Sequence, residues 1–273
     1  MIDKYELLLS MKVLQLEIAE LTRYARECST CYGLLKEKLE GLCAFMTSTR
    51  SEAQWNEWGS LPEIRERADG LRDTSVRALC EMEKYQSVRA CSGELDLGGY
   101  MAALSQSVHT EMGHLRIGHG ARVLFVGAGA FPLSAMTIAR ELDAEVVGID
   151  IDPEAVSLAE QLADASGMAS KISFSGERIG RLPFAGEASH VIVASLVENK
   201  AEVLRELQEA VAEGTRIVVR YGNGLKSVFN YPFTGEVPAE LQRTSAGGGS
   251  PIYDTVVLER LPRTVQERSV LIR

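Results

Sequence analysis

Two glycines and one aspartate have the residue types and the spacing of a nucleoside-binding site. The apolar run at residues 123–126 leads directly into Gly127 and Gly129, and a helical pattern follows. Such a turn at the carboxyl end of a strand lets the backbone approach a ligand closely. Asp150 ends the next strand-like run, 21 residues after Gly129, where a carboxylate can accept hydrogen bonds from both ribose hydroxyls. These residues predict a site for an adenosine-containing cofactor.

The residues after the glycines favour a cofactor without a pyrophosphate. Phe131 and Pro132 occupy the region where the dinucleotide fingerprint has its third glycine and a bare helix start. We therefore favour S-adenosylmethionine over NAD. Two glycines alone are weak evidence, because glycine often serves only a turn, but the strand, the helix and the spaced acid together favour ligand binding. Asp152 precedes Pro153 and is more typical of a helix N-cap than of a ligand.

The second half of the chain alternates strand patterns with helical patterns. This alternation predicts parallel strands with helices on both faces, which is a Rossmann-like, doubly wound α/β sheet. Together with the predicted adenosine site, the sheet would be of the S-adenosylmethionine-dependent transferase type. The last strand follows a glycine loop and could return antiparallel as an edge. The predicted strands are 122–126, 145–149, 172–174, 190–194, 216–220 and 252–258, and the predicted helices are 133–142, 153–165 and 200–212.

The first half of the chain is helical in pattern. Apolar residues from Leu7 to Leu42 recur at alternating spacings of four and three, which predicts one long helix. A short helix near Trp55 and further helices over 62–90 and about 99–115 are expected to follow. We predict two domains, which are an all-α N-terminal domain over residues 1–116 and a Rossmann-like domain over residues 117–273.

The composition excludes several classes of function. The 273 residues include 29 Lys and Arg against 38 Asp and Glu, a formal net charge of −9 that is shared by both halves. Nucleic-acid binding is therefore not expected, because it needs basic residues that neutralise phosphates. The longest uncharged apolar stretch, 123–139, contains glycines and a proline and is too short for a membrane span. Without a signal-peptide pattern and with five cysteines, we expect a cytoplasmic protein with reduced thiols.

Three segments together resemble the nicotianamine synthase family, and most closely its bacterial branch, the opine-metallophore synthases of the staphylopine and pseudopaline type. Residues 127–133 are similar to the family's G-[SA]-G-x-x-P-[LM] turn, and residues 148–155 to its I-D-I-D-P-x-A segment. Residues 220–232 resemble the R-x-G-x-G-[LI]-[KR] stretch that leads to N-Y-P in the bacterial branch, and this motif is the most restrictive. In the helical half, residues 82–85 resemble L-E-x-H-Y.

The resemblance implies an unusual use of S-adenosylmethionine. The 3-amino-3-carboxypropyl group, not the methyl group, is transferred to the α-amino group of histidine (D or L), and methylthioadenosine is released. The product then passes to an opine-type dehydrogenase, and no metal is expected in the synthase. The short chain lacks the extended acceptor region of plant-type members, which favours one transfer per product. The alternatives are a small-molecule methyltransferase and a non-catalytic sensor of S-adenosylmethionine.

The resemblance also assigns roles to candidate residues. Glu83 would accept the proton of the amine or hold the ammonium, and Tyr100 would orient the amine. Glu81 is the neighbouring alternative, because the alignment in this helix could slip by two residues. Without the resemblance, both glutamates fit a solvated helix face and Tyr100 fits a core position. The predicted cofactor contacts are Gly127, Ala128, Gly129, Pro132, Asp150 and Ile151, and the predicted substrate contacts are Arg220, Asn230, Tyr231 and Glu111.

Two further patterns are weaker. Cys28 and Cys31 form a C-x-x-C motif, but no second pair lies at zinc-site spacing, and Cys28 falls on the apolar stripe. Helix packing is therefore the favoured interpretation. Three histidines, at 109, 114 and 119, are spaced by five and do not share one helix face, so a metal site is not expected. The first helix could form a homodimer interface or pack within the chain, and the sequence does not decide between these two.

Overall fold

The computed structural model describes residues 2–234, 237–246 and 250–262. A helical region comes first in the chain. Its helices are α1 (Ile2–Glu27), α2 (Cys31–Thr47), α3 (Thr49–Trp58), α4 (Pro62–Cys91) and α5 (Leu97–Leu115). Among the described residues, no helix is both long and apolar enough to cross a membrane.

The single long helix predicted from Leu7 to Leu42 is wrong. The structure divides this segment into α1 and α2, with a turn at residues 28–30. Each backbone N–H at residues 31–33 donates to the carbonyl three positions earlier, so the turn is itself one tight helical turn. The apolar stripe continues through the turn because Leu7, Met11 and Ile18 on α1 and Leu35 and Leu42 on α2 all enter one core.

The rest of the chain alternates strands and helices as predicted. The strands and α-helices of this part are β1 (Arg122–Val126), α6 (Leu133–Glu141), β2 (Glu145–Ile149), α7 (Pro153–Ala165), β3 (Ile172–Ser175), α8 (Pro183–Glu187), β4 (His190–Val193), α9 (Lys200–Ala210), β5 (Arg216–Tyr221), β6 (Leu241–Ala246) and β7 (Asp254–Arg260). Two short 3₁₀ helices lie at Ile179–Arg181 and Gly224–Val228. The strand order in the described sheet is β3-β2-β1-β4-β5-β7-β6. Strands β1 to β5 are parallel, and β7 is antiparallel to both β5 and β6.

The predicted doubly wound sheet is confirmed, with one strand added. The last predicted strand returns antiparallel, as expected, but β7 lies between β5 and the unpredicted strand β6 rather than at the edge. Alternate residues of each central strand face opposite sides of the sheet. Val123 and Phe125 pack with α5, α6 and α7, whereas Leu124 and Val126 pack with α8 and α9.

Helix α5 shares its core with the sheet, and of α4 the last residues, Ala90 and Cys91, pack against the same core. Met101, Val108, Met112 and Leu115 pack in the same hydrophobic cluster as Phe125. Helices α1, α2 and α4 enclose a separate cluster, which also takes in apolar residues from the loop after β5. The boundary at 116/117 stays a prediction, and within the structure α5 connects the two regions.

Helix α4 connects the helical region to the sheet region through side-chain contacts. Lys84 donates to Asp152 Oδ2 at 2.8 Å and to Glu154 Oε2 at 2.6 Å, both at the start of α7. One turn further along α4, the buried Ser87 hydroxyl donates to the Ala130 carbonyl in the loop after β1. These contacts place the C-terminal third of α4 over the carboxyl ends of β1 and β2.

Candidate active site

The turn after β1 requires glycine at two positions. Gly127 and Gly129 have φ values of +80° and +71°, which L-amino acids with side chains rarely adopt. The space around them is also filled. A Cβ atom on Gly127 would lie 2.6 Å from Val197 Cγ2, and one on Gly129 would collide with the carboxyl group of Glu83. The turn therefore brings bare backbone against a side chain from the helical region.

Asp150 holds this turn to the end of β2. Its Oδ2 accepts a hydrogen bond from the Gly129 N–H at 2.8 Å, and its Oδ1 accepts one from the Asp152 N–H at 3.0 Å. An ionised carboxylate has about four lone-pair sites, so it can still accept hydroxyl donors. The next residue, Ile151, is fully exposed. A carboxylate beside an open apolar surface fits a nucleoside, whose ribose needs acceptors and whose base needs an apolar contact.

The predicted N-cap at Asp152 is confirmed. Its side chain accepts from the Glu154 N–H at 2.9 Å, and Pro153 begins α7. Pro132 occupies the N-cap position of α6, but its side chain makes no capping hydrogen bond. Ala128 lies between the two glycines, and its backbone N–H donates to the Ile149 carbonyl at 3.0 Å.

Glu83 is a titratable group of the helical region that lies against the glycine turn. Its side chain is half-buried on α4, and its carboxyl group contacts Gly129. Burial and the negative charge of Asp150 raise the pKa of Glu83 to about 8, against the opposing hydrogen bonds of the Ala130 and Phe131 backbone. A carboxyl group with a pKa of about 8 can accept a proton from an amine at a modest cost in free energy.

The other two candidate catalytic residues differ in their surroundings. Tyr100, on α5, packs edge-to-face on Phe131 with ring centroids 5.9 Å apart, so it also lies beside the glycine turn. Its hydroxyl accepts from Lys36 Nζ at 3.4 Å. Glu81 instead accepts from Arg26 at 3.2 Å, on the α1 side of α4. Of the two glutamates, the structure brings Glu83 to the turn.

Arg220 and Glu111 form a buried ion pair with each other. Arg220 Nε and Nη2 donate to the two carboxylate oxygens of Glu111 at 2.9 and 2.7 Å, and the Tyr253 hydroxyl donates to the same carboxylate at 3.1 Å. The side chains are only 7% and 13% exposed. The sequence predicted that the Arg220 fork would take a substrate carboxylate. In the structure that fork is occupied by Glu111, which the sequence had assigned to the substrate separately.

Sequence comparison identifies the family. The family described as nicotianamine synthase protein matches residues 99–243, which is more than half of the chain and includes the glycine turn, Asp150 and the loop after β5. The chain belongs to the nicotianamine synthase family.

Similar proteins and solved structures support the assignment to this family over nearly the whole chain. A protein of Pseudomonas aeruginosa (strain UCBPP-PA14) named L-histidine 2-aminobutanoyltransferase is 38% identical over 264 residues, covering 94% of this chain and 98% of that protein. A Yersinia pestis protein of the same name is 31% identical over 259 residues, or 94% and 96% of the two chains. The solved structure of MtNAS in complex with MTA and tNA is 16% identical with a TM-score of 0.74, covering 93% and 97%, and it shows the shared fold.

Asn230 and Tyr231, at the end of the segment 220–232 that resembles the bacterial branch, both contact other parts of this chain. The Asn230 side chain is buried and donates to the carbonyls of Lys226 and Ile252 at 3.1 and 2.7 Å. The Tyr231 hydroxyl donates to Asp73 at 3.4 Å, and its ring lies 4.9 Å from the Arg72 guanidinium. Both residues had been predicted to line the substrate site. The structure gives Asn230 a loop-holding role and places Tyr231 against α4.

Lys200 is a buried residue that sequence analysis missed. It is 2% exposed, and its Nζ donates to the carbonyls of Ser195, Val197 and Tyr231. Burial, and secondarily the charge of Arg72, lower the pKa of Lys200 to about 7. This lysine joins the loops after β4 and β5 and so supports Val197, which packs against Gly127. A lysine at a helix start carries no local signal of such a role.

Replacing Gly129 with alanine is expected to lower the free energy of unfolding by about 1–3 kcal/mol, because the new Cβ needs a left-handed backbone and displaces Glu83. Turnover should fall with it. Gly33→Ala is the matched control, since α2 offers open space there and the change should stabilise the protein by about 0.4–1 kcal/mol. Urea denaturation of both variants measures the difference, and equal effects at the two sites would contradict the close approach.

Proposed function

We propose that this protein is an S-adenosylmethionine-dependent histidine 2-aminobutanoyltransferase. It transfers the 3-amino-3-carboxypropyl group to the α-amino group of histidine and releases methylthioadenosine. The observation that carries the proposal is the position of Glu83, a carboxyl group with a pKa of about 8, directly against the cofactor-type turn at Gly129. The names of the relatives that are 38% and 31% identical support the same reaction.

The residues at the ends of β1 and β2 fit S-adenosylmethionine. Asp150 has acceptor capacity left for ribose hydroxyls, Ile151 offers an open apolar surface, and Gly127 and Gly129 keep side chains away from the turn. When bound, this co-substrate supplies a carbon activated by its sulfonium. MtNAS structures described as complexes with MTA and with S-adenosylmethionine share the fold, which is consistent with this placement.

The acceptor amine is assigned to the space bordered by Glu83 and Tyr100. An amine attacks only when it is neutral, so a nearby group must accept its proton. Glu83 in its carboxylate form takes this role, and the Tyr100 hydroxyl orients the nitrogen. Holding the nitrogen in line with one particular carbon selects the aminocarboxypropyl group over the methyl group.

L-Histidine is the proposed acceptor, in agreement with the names of the relatives. Transfer to the D enantiomer, delivery of the product to an opine-type dehydrogenase and a homodimer through α1 stay predictions. The absence of a metal requirement also stays a prediction. Within the described residues, no group of three or more His, Cys, Asp and Glu side chains is arranged to hold a metal ion.

Product analysis tests the proposed function. The purified protein is incubated with S-adenosylmethionine and a panel of L- and D-amino acids, and the products are identified by mass spectrometry. Methylthioadenosine together with a histidine adduct enlarged by the aminocarboxypropyl group is the expected result. S-Adenosylhomocysteine with a methylated product would instead establish a methyltransferase. Cofactor binding without turnover of any amine would establish a sensor.

A further inference from the structure

The C-x-x-C motif lies in an exposed turn and not in a packed helix. Cys28 is exposed and Cys31 is half-buried, and both are free thiols. The prediction that Cys28 packs on the apolar stripe is therefore wrong. The Cys31 N–H donates to the Cys28 carbonyl at 2.9 Å, so the two residues stand at the two ends of one helical turn. The two thiols also share a side-chain hydrogen bond, which brings their sulfur atoms close together.

The two thiols are chemically different. Hydrogen bonds from Thr30 and from Cys31 lower the pKa of the Cys28 thiol, and the Thr30 hydroxyl lies 2.9 Å from its sulfur. Burial raises the pKa of Cys31. The exposed thiol with the lowered pKa is the one that attacks as the nucleophile of such a pair, and the second thiol then resolves the intermediate. The exposure of Cys28 and the raised pKa of Cys31 suit this division of roles.

The residues on either side of the turn contact the part of α4 that carries Glu83. Arg26, two residues before Cys28, donates to Glu81 at 3.2 Å. Tyr32, directly after Cys31, stacks on Tyr85 with ring centroids 3.9 Å apart and an interplanar angle of 8°. Glu81 and Tyr85 flank Glu83 by two residues on each side. The residues flanking the turn therefore contact α4 on both sides of the candidate proton acceptor in sequence.

Helix α2, which follows the turn, also approaches Tyr100, the second residue assigned to the acceptor amine. Lys36 lies one turn into α2, and its Nζ is 3.4 Å from the Tyr100 hydroxyl. It is held on the other side by Glu40 at 3.8 Å. Helix α2, which begins directly after the turn, thus contacts Tyr100 through Lys36 and, through Tyr32, the stretch of α4 that carries Glu83.

We propose that Cys28 and Cys31 form a thiol–disulfide exchange site that adjusts the acceptor side of the candidate active site. The Cys28 thiolate attacks one sulfur of a low-molecular-weight disulfide, which releases one thiolate and leaves a mixed disulfide. Cys31 then gives up its proton and attacks Cys28 Sγ, which releases the second thiol and closes the Cys28–Cys31 bond. The two cysteines are oxidised, and the external disulfide is reduced to two thiols. The effect on the acceptor rests on the proposed function, whereas the exchange itself does not.

Thiol mapping tests the exchange without any assay of activity. The full-length protein is treated with glutathione disulfide, the free thiols are alkylated, and the peptides are analysed by mass spectrometry. The expected product is an intramolecular Cys28–Cys31 disulfide, with Cys43, Cys80 and Cys91 still alkylated. Cys31→Ser should stop at the mixed disulfide with glutathione on Cys28. Retention of both thiols, or glutathione on Cys31 in preference to Cys28, would overturn the proposal.

Kinetics of the same samples test the coupling. Closing the bond should raise the KM for the amine by about fivefold, because the stacked Tyr32–Tyr85 pair and its neighbours are disturbed, while the KM for S-adenosylmethionine stays within about twofold. Cys28→Ser should keep the reduced enzyme's kinetics and lose the response, whereas the control Cys43→Ala should keep the response. An oxidised enzyme with an unchanged KM would refute the coupling. If the reduced enzyme transfers no amine, the proposed function fails. The thiol mapping still shows whether Cys28 and Cys31 undergo thiol–disulfide exchange.

Discussion

Replacing Glu83 with glutamine is expected to lower turnover by about 100- to 10,000-fold, which is the range for loss of a positioned proton acceptor. The substitution keeps the size and shape of the side chain beside Gly129 and removes only its ability to take a proton. The affinity for S-adenosylmethionine should change little, because Asp150 and the turn remain. Release of methylthioadenosine and equilibrium binding of S-adenosylmethionine separate the two effects.

The pH dependence of the reaction gives a second measure of the role of Glu83. Its carboxylate form becomes available as the pH rises through about 8, so kcat/KM of the unmodified enzyme should rise over that range. Asp150→Asn removes a negative charge that raises the pKa of Glu83, and the rise should then begin at lower pH. Asp150→Asn should also weaken S-adenosylmethionine binding more than Glu83→Gln does. Unchanged turnover in Glu83→Gln would transfer the role to Tyr100 or Glu81.

The fold of Glu83→Gln can be checked in the same pH range. A carboxyl group whose pKa is higher in the folded than in the unfolded protein contributes its full stabilisation when the pH is below the unfolded-state pKa. For Glu83 this stabilisation is lost as the pH rises through its folded-state pKa of about 8. Glutamine has no such loss. The variant should therefore become more stable than the unmodified protein as the pH increases, which denaturation at pH 6 and pH 9 would show. A variant that is inactive and also less stable at high pH would point to misfolding.

Replacing Glu111 with glutamine is expected to lower the free energy of unfolding by about 3–5 kcal/mol. Both carboxylate oxygens of Glu111 accept from Arg220, and the Tyr253 hydroxyl also donates to Oε2. The substitution leaves the guanidinium buried without a matching charge. Urea denaturation measures the loss, and the exposed pair of Glu20 and Arg23 provides a control in which Glu20→Gln should have a far smaller effect.

A double variant identifies the origin of that loss. Arg220→Met combined with Glu111→Leu removes both charges and fills the space with apolar groups. The double variant should lose much less stability than the sum of the two single variants, because no charge stays unpaired. Additive losses would show that Glu111 and Arg220 act separately. In that case the original assignment of Arg220 to a substrate carboxylate would regain support.

The regular part of the fold follows from local sequence patterns. The strands β1, β2, β4 and β5 were predicted within one residue, since short apolar runs between turn residues are typical of buried parallel strands. Strand β6 was missed because its exposed side chains, Gln242, Arg243 and Thr244, give no apolar pattern at the edge of the sheet. The turn between α1 and α2 was missed for the opposite reason, since a single tight helical turn preserves the period of the stripe.

The candidate site was only partly predictable. Gly127, Gly129 and Asp150 are close enough along the chain for their spacing to indicate one site. The contact of Glu83 with Gly129, the pairing of Arg220 with Glu111 and the burial of Lys200 each join segments that are distant in sequence. Residue types alone show which of these side chains can react. Whether a charged group faces a ligand or another charged group is decided by packing.

The contact between Glu83 and Gly129 has a consequence for how such an enzyme can arise. The group that would accept the proton belongs to a helix, while the turn that would hold the nucleoside belongs to a sheet, and only their docking creates a reaction centre. A sheet of this kind transplanted without α4 would retain a nucleoside pocket and have no proton acceptor there. A different helix docked on the same turn, by contrast, could bring other chemistry to an unchanged nucleoside pocket.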